Sequence, residues 1–106
     1  MPLATIPNGS SLSNSVMITP VFNPHEIIYG LYIPAVDSCT IYIQASMDNI
    51  NFSRVLKTDG TGDWNIASTT GDRCIFIDQL APFHYFRIET SVNQTANRTF
   101  IFDANY

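Results

Sequence analysis

The chain has 106 residues, of which 13% are charged, and a net charge of −4. That length suits one domain with one modest core. Arg54, Lys57, Arg73, Arg87 and Arg98 are spread along an acidic chain. A nucleic-acid surface, which needs clustered cations, is therefore excluded.

No apolar run approaches the length of a membrane-spanning helix. The opening Met1-Pro2-Leu3-Ala4-Thr5 has neither the basic residue nor the apolar core of a secretory signal. The expectation is a protein made and used without secretion through a membrane. Its charge content lies well below the roughly 25% of average soluble domains. A surface of hydroxyls and amides in place of charge suits a protein packed against neighbours, although strands also disfavour Lys and Glu.

The first nine residues, which end in the Asn8-Gly9 turn, read as an extended arm or a first edge strand, and residues 1–13 together as an extended N-terminal arm ahead of a domain over residues 14–106. Leu12, Val16 and Ile18 mark the next run, stopped by Pro20. His25 to Ile33 is apolar on both sides, which places it centrally or under cover, and Gly30 within it suggests a bulge or a close backbone approach. Thr40 to Asp48 shows the clearest alternation, with Ile41, Ile43, Ala45 and Met47 on one side of the pleat.

A turn over Asp48-Asn49-Ile50-Asn51 leads to a short strand from Phe52 to Lys57. The turn formers from Thr58 to Asp63 connect it to a strand near Trp64, and Thr69-Thr70-Gly71-Asp72 turns the chain again. Arg73 to Asp78, Tyr85 to Thr90 and Thr99 to Asp103 complete the set, with Ala81-Pro82 and the polar loop Ser91 to Asn97 as breaks. About eight strands with turn signals roughly every 8–12 residues define a single-domain antiparallel β-sandwich, and a jelly roll is its simplest form. The expected core is Ile27, Leu31, Ile41, Ile43, Ala45, Phe76, Phe86, Ile88 and one face of the last strand, with Trp64 anchoring one end.

Catalytic constellations are missing from the sequence. His25 and His84 stand in loops without an oriented carboxylate and nucleophile, and no Gly-x-Ser-x-Gly, His-Glu-x-x-His or phosphate-cradling loop is present. Asp48 to Asn51 and Asp59 to Asp63 carry closely spaced oxygens, but they read as Asx turns rather than a calcium loop. Cys39 and Cys74 read as small buried hydrophobes, with a disulfide as the alternative. Four Asn-x-Ser/Thr triplets, at Asn8, Asn51, Asn93 and Asn97, follow from an Asn- and Thr-rich composition. The expectation is no catalytic, cofactor or metal site.

The contact candidates are apolar or aromatic. Leu3, Ile6 and Leu12 lie in the arm, and Tyr29, Tyr32, Tyr42 and Tyr85 include residues on outer strand faces, where a tyrosine can anchor an interface.

Four stretches carry a family resemblance. Ile6 to Ser13 looks like an "Ile-x-x-Gly-x-Ser-x-Ser" opening, and Gly30 to Pro34 like a "Gly-hydrophobic-x-hydrophobic-Pro" strand. Ile43 to Phe52 resembles a "Phe-Gln-x-Ser-x-Asp-Gly-x-x-Trp/Phe" hairpin, with Asn49 in place of the Gly. Tyr85 to Thr90 and then Asn93 to Thr99 resemble a closing "Arg-hydrophobic-x-Ser/Thr … Asn-Gln-x-Ala-x-Arg" segment. In this order and spacing the chain resembles small tailed-bacteriophage virion β-sandwich proteins. The resemblance implies a non-enzymatic capsid decoration (cement) protein on the virion surface, a homo-oligomer (trimer or dimer) binding the major capsid protein. A tail or fibre module that binds a carbohydrate or receptor is the alternative.

Overall fold

The structure is a computed structural model that describes residues 3–17, 29–57, 60–67, 73–76 and 84–104. Sequence expectations at Ile18, Pro20, His25, Ile27, Asp59, Thr69–Asp72 and Ala81-Pro82 lie outside these residues. All regular structure among them is β. The strands are β1 (Leu3–Ile6), β2 (Val16–Met17), β3 (Tyr29–Ile33), β4 (Thr40–Ser46), β5 (Ser53–Arg54), β6 (Asn65–Ala67), β7 (Arg73–Phe76), β8 (Tyr85–Thr90) and β9 (Arg98–Ala104).

They form two antiparallel sheets. One has the order β1-β9-β3-β7, and the other β2-β8-β4-β5 with β6 also on β4. β5 and β6 behave as one interrupted edge strand. Arg54 lies opposite Gln44 and Asn65 opposite Tyr42, so both continue down the same side of β4. Between them the chain leaves after Val55 and returns at Trp64, closed by Lys57 N–H to Gly62 O at 2.9 Å and by Trp64 N–H to Val55 O at 2.7 Å. Counted this way the described residues form eight strands. Successive strands cross from sheet to sheet except at the β4–β5 hairpin, which is the jelly-roll arrangement.

The core sits between the sheets because the period of two sends alternate residues inward. From the five-stranded sheet come Ile41, Ile43, Ala45, Phe86 and Ile88. From the four-stranded sheet come Ala4, Ile6, Leu31, Ile33, Phe100 and Phe102, with Val16 and Val55 at the margins. Phe86 and Phe102 stack across the gap with ring centroids 5.8 Å apart. Trp64 packs against this core from its edge, as the sequence suggests.

Two expectations are corrected. Met47 does not join the core and is 63% exposed, because β4 ends at Ser46 and the chain enters its turn one residue earlier. Gly30 makes no bulge and lies in unbroken register between Phe76 and Asp103. The bulge falls in the segment before β2 instead. Between Leu12↔Glu89 and Val16↔Phe86 that segment advances four residues while β8 advances three. At the bulge the Ser13 hydroxyl accepts the Ile88 N–H at 2.8 Å, supplying the acceptor that the kinked backbone withdraws.

Candidate functional site

β4 and β8 alternate buried with outward residues, and their register places Gln44 opposite Arg87 and Tyr42 opposite Glu89. Long polar side chains on the outer face of the five-stranded sheet therefore meet across strands. Arg54 is the hub. Its Nη2 donates to Glu89 Oε2 at 2.6 Å, its Nε to Glu89 Oε1 at 3.0 Å and its Nη1 to Asp63 Oδ2 at 3.2 Å.

The Arg54 guanidinium also lies 3.8 Å from the centroid of the Tyr42 ring. Gln44 extends the web by donating to Glu89 Oε1 at 2.7 Å and accepting from Arg87 Nε at 2.5 Å. Arg87 in turn stacks over Phe52 at 4.2 Å. Hydrogen bonds from Arg54, then Gln44, hold the Glu89 carboxyl below the usual carboxylate range. This face is a closed electrostatic network.

The outer face of the four-stranded sheet differs. Leu3 lies opposite Ile101, Ile101 opposite Tyr32, and Tyr32 opposite Cys74. These four residues form an uncharged row across all four strands. Leu3 is 51% exposed, Cys74 is exposed, and Ile101 and Tyr32 are half-buried. Beside the row, the Thr5 and Thr99 hydroxyls meet at 3.1 Å.

At one end of the sandwich the loops are clamped together. Gln94, 1% exposed, accepts the Asp37 N–H on Oε1 at 3.0 Å. Gly9 N–H reaches Gln94 O at 2.7 Å, and Gln94 N–H reaches Ser10 O at 2.8 Å. The Asp37 carboxylate accepts from Thr95 N–H, the Thr95 hydroxyl and Arg98 Nη2 at 2.8, 3.1 and 3.0 Å. These donors, the Thr95 N–H foremost, lower the Asp37 pKa. At the opposite end Asp48 caps its turn by accepting from the N–H groups of Ile50 and Asn51, each at 2.9 Å, and its pKa is lowered too.

The residues singled out for contact scatter over the molecule. Leu3 and Tyr32 share the uncharged row. Tyr42 and Tyr85 lie on the opposite face. Leu12 is half-buried at its bridge to Glu89. Tyr29 begins β3, and its side chain is outside the described set.

Ile6 is fully buried in this chain's own core and offers nothing to a neighbour. Its place follows from β1 pairing with β9, which turns Ala4 and Ile6 inward. Residues 3–13 lie against both sheets of their own domain, through β1 on β9 and through Ser11 and Ser13 on β8. Ile101 and the Arg54–Glu89–Gln44–Arg87 web were missed. Outward alternation on β8 signals Arg87 and Glu89, but only register reveals their partners.

Cys39 stands just before β4 of the five-stranded sheet and Cys74 on β7 of the four-stranded sheet; they form no disulfide, and Cys74 is exposed rather than buried because it falls on the outward side of its strand. Among the described residues no group of three or more His, Cys, Asp or Glu side chains is placed to hold a metal. The Asp63 carboxylate, one half of the weighed calcium pair, is engaged by Arg54.

The four motif stretches resolve into devices of the fold. Gly9 and Asn49 take positive φ at their turns, at 86° and 61°, so Asn49 does what the motif's Gly would do. Ser11 O accepts the Thr90 N–H, Leu31 and Ile33 fill the core, and Gln94 and Arg98 build the clamp. No protein-family model matches the chain, and no curated protein matches it either.

Proposed function

We propose that this chain is a structural virion protein, a capsid decoration protein that stabilises a bacteriophage head by binding between major capsid subunits. It acts by adhesion, not catalysis. The observation that carries the reading is the uncharged Leu3–Ile101–Tyr32–Cys74 row on a rigid two-sheet frame. Covering such a row removes apolar surface from water and breaks no ion pair.

The jelly roll is a frequent architecture of viral coat domains and also of lectins, so the fold supports the class without choosing within it. The order of the four motif stretches adds the phage resemblance. The rival, a tail or fibre module that stacks a sugar on an aromatic ring, has weaker support. Tyr42 and Phe52 each carry a guanidinium on one ring face.

Sedimentation with undecorated phage heads tests the reading. The protein is expected to pellet with heads to a saturating, many-copy stoichiometry and to raise their resistance to heat. Failure to bind heads, or binding confined to tails in a few copies, overturns it.

A further inference from the structure

Asn8-Gly9 is the chain's single Asn-Gly step. In such a step the backbone nitrogen after the asparagine can attack the side-chain amide carbon, because glycine brings no Cβ to obstruct the approach. The two reacting groups stand in different states. The Asn8 side chain is exposed and makes no hydrogen bond to any described residue. The Gly9 nitrogen is tied down, donating to Gln94 O at 2.7 Å.

The turn around that nitrogen is fixed on both sides. Ser10 N–H closes it on Pro7 O at 3.0 Å, and Asn8 N–H donates to Asn97 Oδ1 at 2.8 Å. Gln94 N–H returns to Ser10 O at 2.8 Å. Gly9 sits at φ 86°, the left-handed value that a type II turn needs at its third residue. To attack, the Gly9 nitrogen must shed its proton and swing toward Asn8 Cγ. Both movements break its bond to Gln94, whose buried side chain in turn holds the Asp37 N–H.

We propose that Asn8 is a latent deamidation site that the loop clamp keeps shut, so that its modification waits on the opening of the clamp. The bond from Gly9 N to Asn8 Cγ forms as the bond from Cγ to Nδ2 breaks. Ammonia leaves with the proton that Gly9 gave up, and a succinimide ring remains. Water then adds at either carbonyl and opens the ring. One route gives aspartate at position 8, and the other gives isoaspartate, whose main chain runs through the side-chain carbon.

The isoaspartate lengthens the turn, so Gly9 and Ser10 can no longer both meet Gln94. β1 then loses the anchor that follows Ile6. The change runs one way because the ammonia is lost. It does not require the virion reading, and either can fail alone.

Full-length protein aged in mildly alkaline buffer made with heavy-oxygen water tests the proposal, with peptide mapping by mass spectrometry reading label at each asparagine. In urea-unfolded protein, Asn8 should take up label before any other asparagine. In folded protein its uptake should be at least about tenfold slower, because local opening must precede attack. Asn97→Ala removes the acceptor of the Asn8 N–H at an exposed position. It should speed folded-state uptake about two- to tenfold, the worth of one hydrogen bond, with an unchanged circular-dichroism melt.

Gln94→Ala should speed it further, and Asp37→Asn takes its place if that variant misfolds. Aged wild type should also exchange its β1 amide hydrogens faster than fresh protein. Equal rates in folded and unfolded chains, a folded rate unmoved by Asn97→Ala and by the second variant, or first labelling at another asparagine in urea overturns the proposal.

Discussion

The outer face of the four-stranded sheet and the outer face of the five-stranded sheet are built on the same pleat and end in opposite chemistry. Across the first runs Leu3, Ile101, Tyr32 and Cys74, without a charge. Across the second run Arg54, Glu89, Gln44 and Arg87, each bonded to the next. Docking a partner on the second face would strip water from ion pairs, at a desolvation cost that new contacts must offset. Docking on the row of the first face strips water from apolar, thiol and hydroxyl groups. A molecule can thus keep one face solvated and offer the other for adhesion while sharing one core.

Uncoupling the faces gives the largest expected effect. Phe86 and Phe102 come from different sheets and stack between them, so Phe102→Ala should lose about 3–5 kcal/mol of stability in urea denaturation. A loss below about 1 kcal/mol would mean that the stack does not hold the sheets together.

Next, Leu3→Glu places a charge at the exposed end of the uncharged row. Head binding should weaken at least about tenfold while the thermal midpoint stays unchanged. Arg54→Gln on the other face should leave head binding intact, and equal losses from both variants would erase the contrast between the faces.

Acid separates the faces further. The folded-state pKa values of Glu89 and Asp37 are lowered, so their stabilisation is fully present above the unfolded values of roughly 4 and fades as pH falls through the folded ones. The thermal midpoint should fall on acidification below that range, and Glu89→Gln and Asp37→Asn should each flatten the fall. An identical slope in Glu89→Gln would remove the web from the account.

The smallest effect is expected from salt. High ionic strength should narrow the stability difference between wild type and Arg54→Gln, because the hub is partly solvated.

Much of the fold was legible locally. Thr40 to Ser46 and Tyr85 to Thr90 alternate strictly, and five of the expected core residues, Ile41, Ile43, Ala45, Phe86 and Ile88, come from them. The Asp48–Asn51 turn followed from residue types that tolerate positive φ. The site was far less legible. Ile6 looked like an exposed apolar residue of an arm, and nothing near it in sequence reveals that Arg98 lies opposite it in the sheet. Gln94 looked like a loop amide, yet it is buried because loops from three parts of the chain close over it.

By itself the amino-acid order determined which stretches are strands and which are turns, which residues of each strand share a side, and that the chain is a two-sheet β domain. Those properties depend on near neighbours, through the pleat and through turn chemistry. Only the tertiary structure decided which strand lies beside which, and hence that the Arg54 web gathers on one face while the uncharged Leu3–Ile101–Tyr32–Cys74 row crosses the other. Such pairings join residues as far apart as Leu3 and Ile101, and they are selected by the fit of the whole core rather than by any local signal.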